Sequence, residues 1–306
     1  MRRPPIPTES MPALRAAVCL ATLLAATGCA ATAQADGAGP APSAWAVDSI
    51  RVTTGAGEAA TLADVMRAAS AADVLILGER HDDPTAHAVE LALLEAALAG
   101  DRPVVLSLEM VETDVQTVLD EYLAGQIRER DWLAAARPWS NYAADYRPLV
   151  ETARASGAPV VAANAPGRYV SLVSRRGLES LDSLSAPARA WLPPDVPPPS
   201  AALAEAFTAL MGGMAHGSGP SVEGMLAAQN LRDATMAWRI AEALAAHPGA
   251  LVVHVNGSFH SAGRLGVPEH LARRRPGAQV VIVTMDRVAA SEPSADDFVI
   301  QTGAAE

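Results

Sequence analysis

The order of apolar runs in this chain predicts an α/β fold: a mostly parallel sheet flanked by helices, with a helical insertion, a lid, before the fourth core strand. Three observations carry it. Short runs rich in branched apolar residues recur at 74–77, 103–108, 159–163, 251–256 and 279–284, and buried strands of a parallel sheet read as continuous apolar runs. Segments with apolar residues at helical spacing lie between them, several stopped by glycine. The first four runs end in polar groups, at Glu79/His81, Glu109, Asn164 and His260, and the carboxyl ends of strands are where open α/β sheets bind ligands.

Taken in order, residues 47–52 are a candidate edge strand and 62–69 a short helix leading into the first core strand. Gly78 stops that strand and delivers Glu79 and His81. Asp83 before Pro84 then makes an N-cap with a first-turn proline, so a helix is expected to about residue 99, where Gly100 ends it. Its apolar face is Val89, Leu93, Leu94, Ala97 and Leu98. The second strand, 103–108, ends in Glu109, and a helix over 114–123 follows. The aromatics Trp132, Trp139, Tyr142 and Tyr146 cluster in a chain otherwise poor in them. A helix over 148–156 and a third strand over 159–163 follow, ending in Asn164. Strand–helix alternation then breaks. A proline-rich loop closes 178–199, helices are expected over 201–211 and 221–246, and a Gly/Met-rich stretch holding His216 lies between them. The fourth strand ends in Gly257-Ser258-Phe259-His260, the fifth follows at 279–284, and 297–301 is expected as a final edge strand.

Composition bounds the class. The chain has 306 residues, is 50% hydrophobic and 19% charged, and carries a formal charge of −11, which suits one large domain or two small ones. All 23 basic residues are arginine. An acidic, lysine-free chain with no basic run argues against a nucleic-acid partner. At the start, Arg2, Arg3 and Arg15 precede an apolar run over 16–26 that ends in Thr27-Gly28-Cys29. This pattern describes a secretory leader too short to span stably, and its end resembles a bacterial lipobox. The expected organisation is a lipoprotein leader over 1–28, with Cys29 as the lipidated first residue of the mature chain; the alternative is ordinary cleavage that leaves a free thiol. A disordered Ala/Gly/Pro/Ser tether over 29–44 follows, then an α/β domain over 45–302 with its insertion at about 170–247. The expected location is secreted and membrane-anchored in the bacterial cell envelope.

If the strands are parallel, Glu79, His81, Glu109, Asn164 and His260 converge on one rim. Two histidines and a carboxylate around an open position is how catalytic metal sites are built, here with His81, Glu109 and His260 as ligands. Glu79 would then serve as the catalytic base. The other interpretation is a set of separate turn residues, and Asp82 and Asp83 are expected as caps. Gln229, Arg232, Asp233 and Met236 share one helix face. They form either a buried network supporting the site or a solvated face with a local Arg232–Asp233 contact. Tyrosine can ligate haem iron, and tryptophan and methionine can pack a flat macrocycle, although ordinary helix packing uses the same residues. Tyr146, at a helix start, is expected to present its hydroxyl outward, and His216 to be exposed enough to ligate or cover a ligand.

These residues together resemble a known family, the ChaN-type haem-binding domain. The resemblance rests on Gly78-Glu79-Arg80-His81-Asp82, the helix with His87 and Glu90, Ser107-Leu108-Glu109-Met110, and Trp139 with Tyr146-Arg147-Pro148. It continues through Ala163-Asn164-Ala165-Pro166, Gln229-x-x-Arg232-Asp233-x-x-Met236-Ala237 and Gly257-x-x-His260. It spans about 47–286, and Glu90 stands where the family often has glutamine. The superfamily, Tiki/TraB-like, also contains metal-dependent proteases and erythromycin-esterase-like hydrolases. The resemblance implies a haem-binding surface lipoprotein of haem or iron uptake, with a homodimer as its expected assembly. Tyr146 and His216 would hold the haem. The superfamily's enzymes imply instead a metal-dependent hydrolase, with Mn, Co or Zn on His81, Glu109 and His260 and with Glu79 as base or further ligand.

Overall fold

The structure, a computed structural model, describes residues 50–211, 221–286 and 293–303. The expected leader, Cys29, the tether and His216 lie outside the described residues. The first strands, β1 (Arg51–Thr54) and β2 (Ala59–Ala60), pair antiparallel. Helix α1 (Leu62–Ala71) starts at a reciprocal cap in which the Thr61 hydroxyl accepts from the Asp64 N–H and Asp64 accepts from the Thr61 N–H. It leads into β3 (Val74–Glu79), buried at every residue.

Asp83 then caps α2 (Pro84–Leu98) by accepting from the Thr85 and Ala86 amides. Strand β4 (Val104–Glu112) runs four residues beyond the expected 108, so Glu109 projects from within a strand rather than from the turn after it. Next come α3 (Gln116–Leu123), α4 (Glu129–Ala136), a π-helical turn over Tyr142–Tyr146, α5 (Arg147–Ala155) and β5 (Val160–Asn164). Before β6 (Leu251–Gly257) lie α6 (Gly167–Arg176), α7 (Ala186–Arg189), α8 (Ala201–Met211) and α9 (Val222–Ala246). Helix α10 (Val267–Arg274), β7 (Val280–Asp286) and β8 (Phe298–Gln301) complete the described fold.

The sheet order is β2-β1-β8-β7-β3-β6-β4-β5. β3 is central, parallel to β6 on one side and β7 on the other, and β4, β5 and β8 continue the parallel run. Two expectations are corrected here. Neither β8 nor β1, the strand expected at 47–52, is an edge strand, because β1 pairs antiparallel with the free side of β8 and β2 takes the edge.

Each face of the sheet has its own core. Leu75, Leu77, Leu106 and Val253 pack with α2, α4 and α5 on one face. On the other, Val74, Ile76, Val105 and Val252 pack with Met236, Ala237, Ile240 and Ala243 of α9 and with Val267 and Leu271 of α10. The second half of α9 is therefore the crossover helix of the β5-to-β6 connection rather than part of a lid. Its first half packs Ala228 and Leu231 against Tyr169, Val170 and Val173 of α6 in a small separate core. Among the described residues, no helix is long and apolar enough to cross a membrane.

Candidate functional site

The pairing of β3 with β6 sets the site, because Glu79 lies opposite Gly257 and Gly78 opposite Asn256. The two Gly-x-x-His turns therefore leave neighbouring strands side by side. Glu79, His81, Gln229, Gly257, Phe259 and His260 line a cleft of about 360 Å³ between them. Glu109 comes from β4, the other neighbour of β6. The structure thus brings Glu79, His81, Glu109, His260, Gln229 and Asp233 together at one rim.

Two histidines here are held by carboxylates. His81 Nδ1 donates to Glu79 Oε1 at 2.8 Å, its ring packs edge-on against Trp139 at 4.7 Å, and its side chain stays partly exposed. Burial disfavours its charge, but the Glu79 hydrogen bond and the Glu109 and Glu79 charges raise its pKa. His260 Nδ1 donates to Asp233 Oδ1, the Gln229 amide approaches the same nitrogen at 2.8 Å, and Nε2 lies 3.2 Å from Glu109 Oε1. Burial opposes the imidazolium, yet the Glu109 and Asp233 carboxylates push His260 up to about 10. Glu109 is buried, which would raise its pKa. The His260 charge and hydrogen bond, the His81 charge and the Gly257 amide, which donates to Oε2 at 2.7 Å, hold it down to about 2. The His260–Glu109 contact is a buried ion pair.

Below the cleft floor lies a second group, largely unanticipated. His87 Nδ1 sits 2.9 Å from Glu79 Oε2 and 3.1 Å from Glu90 Oε2, and its Nε2 faces the His81 carbonyl oxygen at 3.3 Å. Burial and the Glu79 charge raise Glu90 to about 8. Glu79, although burial opposes ionisation, is lowered by its contacts with His81, His87 and Tyr146. Among the described residues, one His/Cys/Asp/Glu set has donor atoms all within 4.8 Å of one another, and it is Glu79, His87 and Glu90 rather than His81, Glu109 and His260. The sequence signal for it was two polar residues at i and i+3 within the apolar run of α2, where both prove buried. Asn141, which donates to the His81 carbonyl at 2.9 Å, had no such signal.

Two expected residues sit differently. Tyr146 does not present its hydroxyl outward. It is fully buried and donates to Glu79 Oε1 at 2.7 Å, because the π-helical turn swings it under His81. Arg232 and Asp233 do not pair with each other. Asp233 holds His260, whereas Arg232 lines a second cavity of about 580 Å³ with Phe207, Leu210, Met211, Met225 and Phe259. Asn164 is buried, with its side-chain oxygen lacking a hydrogen-bond partner. Gln229 and Phe259 line both cavities, so the apolar groove continues from the polar cleft.

A family model described as haem-binding uptake, Tiki superfamily, ChaN, matches residues 65–271. The fold is similar to that of a ChaN of Campylobacter jejuni solved with cofacial haem. That chain is 15% identical, the match covers 82% of this chain and 96% of that one, and the TM-score is 0.60. A Bacillus cereus protein is 14% identical over 74% of this chain and 69% of its own, at TM-score 0.42. An erythromycin esterase in its open conformation is 14% identical over 73% and 72%, at TM-score 0.39. No curated protein matches the sequence.

Proposed function

Because this chain belongs to the ChaN family of the Tiki superfamily, whose description is haem-binding uptake, we propose that it binds haem, with the macrocycle lodged in the groove beside the polar cleft. The observation that carries this reading is the groove itself. Phe207, Leu210, Met225 and Phe259 give it apolar walls, and Arg232 stands among them. Leu210 is 56% exposed, an apolar surface suited to covering by a ligand. Haem is a flat apolar ring bearing two carboxylates, and an apolar pocket with one convergent cation matches it. His216, which follows Met211 closely in sequence, is the proposed iron ligand in place of the buried Tyr146.

The biological setting belongs to the same proposal. The leader over 1–28 would be removed, Cys29 lipidated, and the domain held on the cell envelope by the tether, collecting haem as a homodimer for iron uptake. Hemin titration of the mature chain tests the core of it. A saturable Soret difference spectrum is expected, at one haem per chain. Phe259→Asp, which sets a charge in the groove, should weaken it at least about tenfold, the loss of roughly 1.4 kcal/mol. Non-saturable binding, or binding indifferent to Phe259→Asp, removes the assignment. Cys29→Ser should move the protein from membranes to the soluble fraction.

A further inference from the structure

Glu79, His87 and Glu90 are all buried, and their donor atoms crowd one point beneath the cleft. The His87 ring is oriented from behind, with Nε2 3.3 Å from the His81 carbonyl oxygen. A carbonyl can only accept, so Nε2 carries a hydrogen, and Nδ1 is the nitrogen turned toward the two glutamates. Although burial opposes its charge, their contacts and charges raise His87 to about 11, and a divalent ion would take the place of the proton on Nδ1. Glu79 Oε2 lies 2.9 Å from that nitrogen, yet the contact is not aligned as a hydrogen bond. Glu79 Oε2 and Glu90 Oε1 are both buried oxygens without a hydrogen-bond partner. Buried carboxylate oxygens are ordinarily satisfied, and acceptors converging in a water-poor interior repel unless positive charge lies between them, a charge that a protonated His87 or a bound cation supplies.

We propose that Glu79, His87 and Glu90 form a binding site for one divalent transition cation of the Mn2+ or Zn2+ class. Two carboxylates and an imidazole are the oxygen and nitrogen donors such ions take. The groups behind them hold the donors in place, as the surroundings of a metal site do. The His81 carbonyl fixes the His87 ring, and Tyr146 and His81 both donate to the other oxygen of Glu79. All three ligands are inaccessible to a substrate, so the ion is structural. It ties α2 to the end of β3 and, through Glu79, sets the orientation of His81 in the cleft. The site is separate from the His260–Glu109 pair and does not depend on haem binding.

The test uses the mature chain stripped with a chelator, then dialysed against Mn2+ or Zn2+ in separate arms. Elemental analysis should find one ion per chain, and the reloaded protein should melt higher than the stripped one. Glu90→Gln keeps the side chain's shape and removes an anionic ligand, so it should weaken binding at least tenfold and abolish the rise in Tm. His260→Gln should leave both intact. A folded wild-type chain that takes up neither ion overturns the site, as does an ion retained in Glu90→Gln but lost in His260→Gln. Should Glu90→Gln not fold, wild-type protein with no ion-dependent change in Tm overturns it equally.

Discussion

Glu79 of β3 faces Gly257 of β6 in register, and this single pairing places the His81 imidazole directly over the glycine. A Cβ on Gly257 would come 2.7 Å from His81 Nε2. The glycine is needed for space rather than for an unusual backbone, because its φ of −60° suits any residue. Gly257→Ala should therefore fold but push the His81 ring off Glu79. Overpacking of this kind costs about 1–3 kcal/mol. Urea denaturation measures the loss, and the 15N shifts of the His81 ring report whether its bond to Glu79 survives. Stability and shifts equal to wild type would show that the turn has slack.

The buried His260–Glu109 pair makes a second prediction. Glu109→Ala leaves the Gly257 amide unpaired and the imidazolium with Asp233 alone. Removing one member of such a pair typically costs about 3–5 kcal/mol. Combining Glu109→Ala with His260→Gln should recover part of that loss, because the stranded charge goes with it. Strict additivity in the double mutant would mean that the two groups do not interact.

How much of this was legible beforehand follows from the range of each signal. The five core strands, the Asp83–Pro84 helix start and both Gly-x-x-His turns are local patterns of period and punctuation, and each was readable in place. That the two turns lie on neighbouring strands was not, since strand order depends on packing across the whole chain. β8 looked like an edge for the same reason, its second partner β1 coming from the opposite end of the described chain. The direction of Tyr146 was lost because a π-helical turn adds a residue to the winding and rotates the hydroxyl inward, which helical periodicity cannot anticipate. His87 and Glu90 enter the sequence reading only through the family resemblance, because their meeting with Glu79 depends on α2 lying against the end of β3.

Stability should peak in mildly acidic to neutral solution. His260 is raised from 6.5 to about 10, so its contribution is fully present below 6.5 and is lost as pH rises through 10. His254, fully buried beside Ser107, is lowered by burial from 6.5 to about 4. Its folded state therefore loses stability as pH falls from 6.5 toward 4. Glu109, lowered from 4.5 to about 2, adds a further loss as pH falls through that interval. A single proton changes stability by at most about 1.4 kcal/mol per pH unit. Thermal melts should thus fall on both sides of pH 6.5, and His260→Gln should flatten the limb between pH 7 and 9. An alkaline limb of unchanged slope in that variant would remove His260 as its source.

Tyr146 and Arg232 separate a tyrosine-ligated haem from one seated in the groove. The Tyr146 hydroxyl is buried and committed to Glu79 Oε1, so Tyr146→Phe should cost about 1 kcal/mol of stability, the worth of one hydrogen bond. It should leave hemin affinity within about twofold of wild type, since it touches no groove wall. Arg232, half-buried among Met225, Phe207 and Phe259, has no ion-pair partner among the described residues and is free to meet a propionate. Arg232→Ala should therefore weaken hemin binding by about 1.5–3 kcal/mol, the range for a hydrogen bond to a charged group. Stability should be nearly unchanged, because no internal partner is lost. The reverse outcome, a Soret band abolished by Tyr146→Phe and indifferent to Arg232→Ala, would require the π-helical turn to open on haem binding and would move the site from the groove to the cleft.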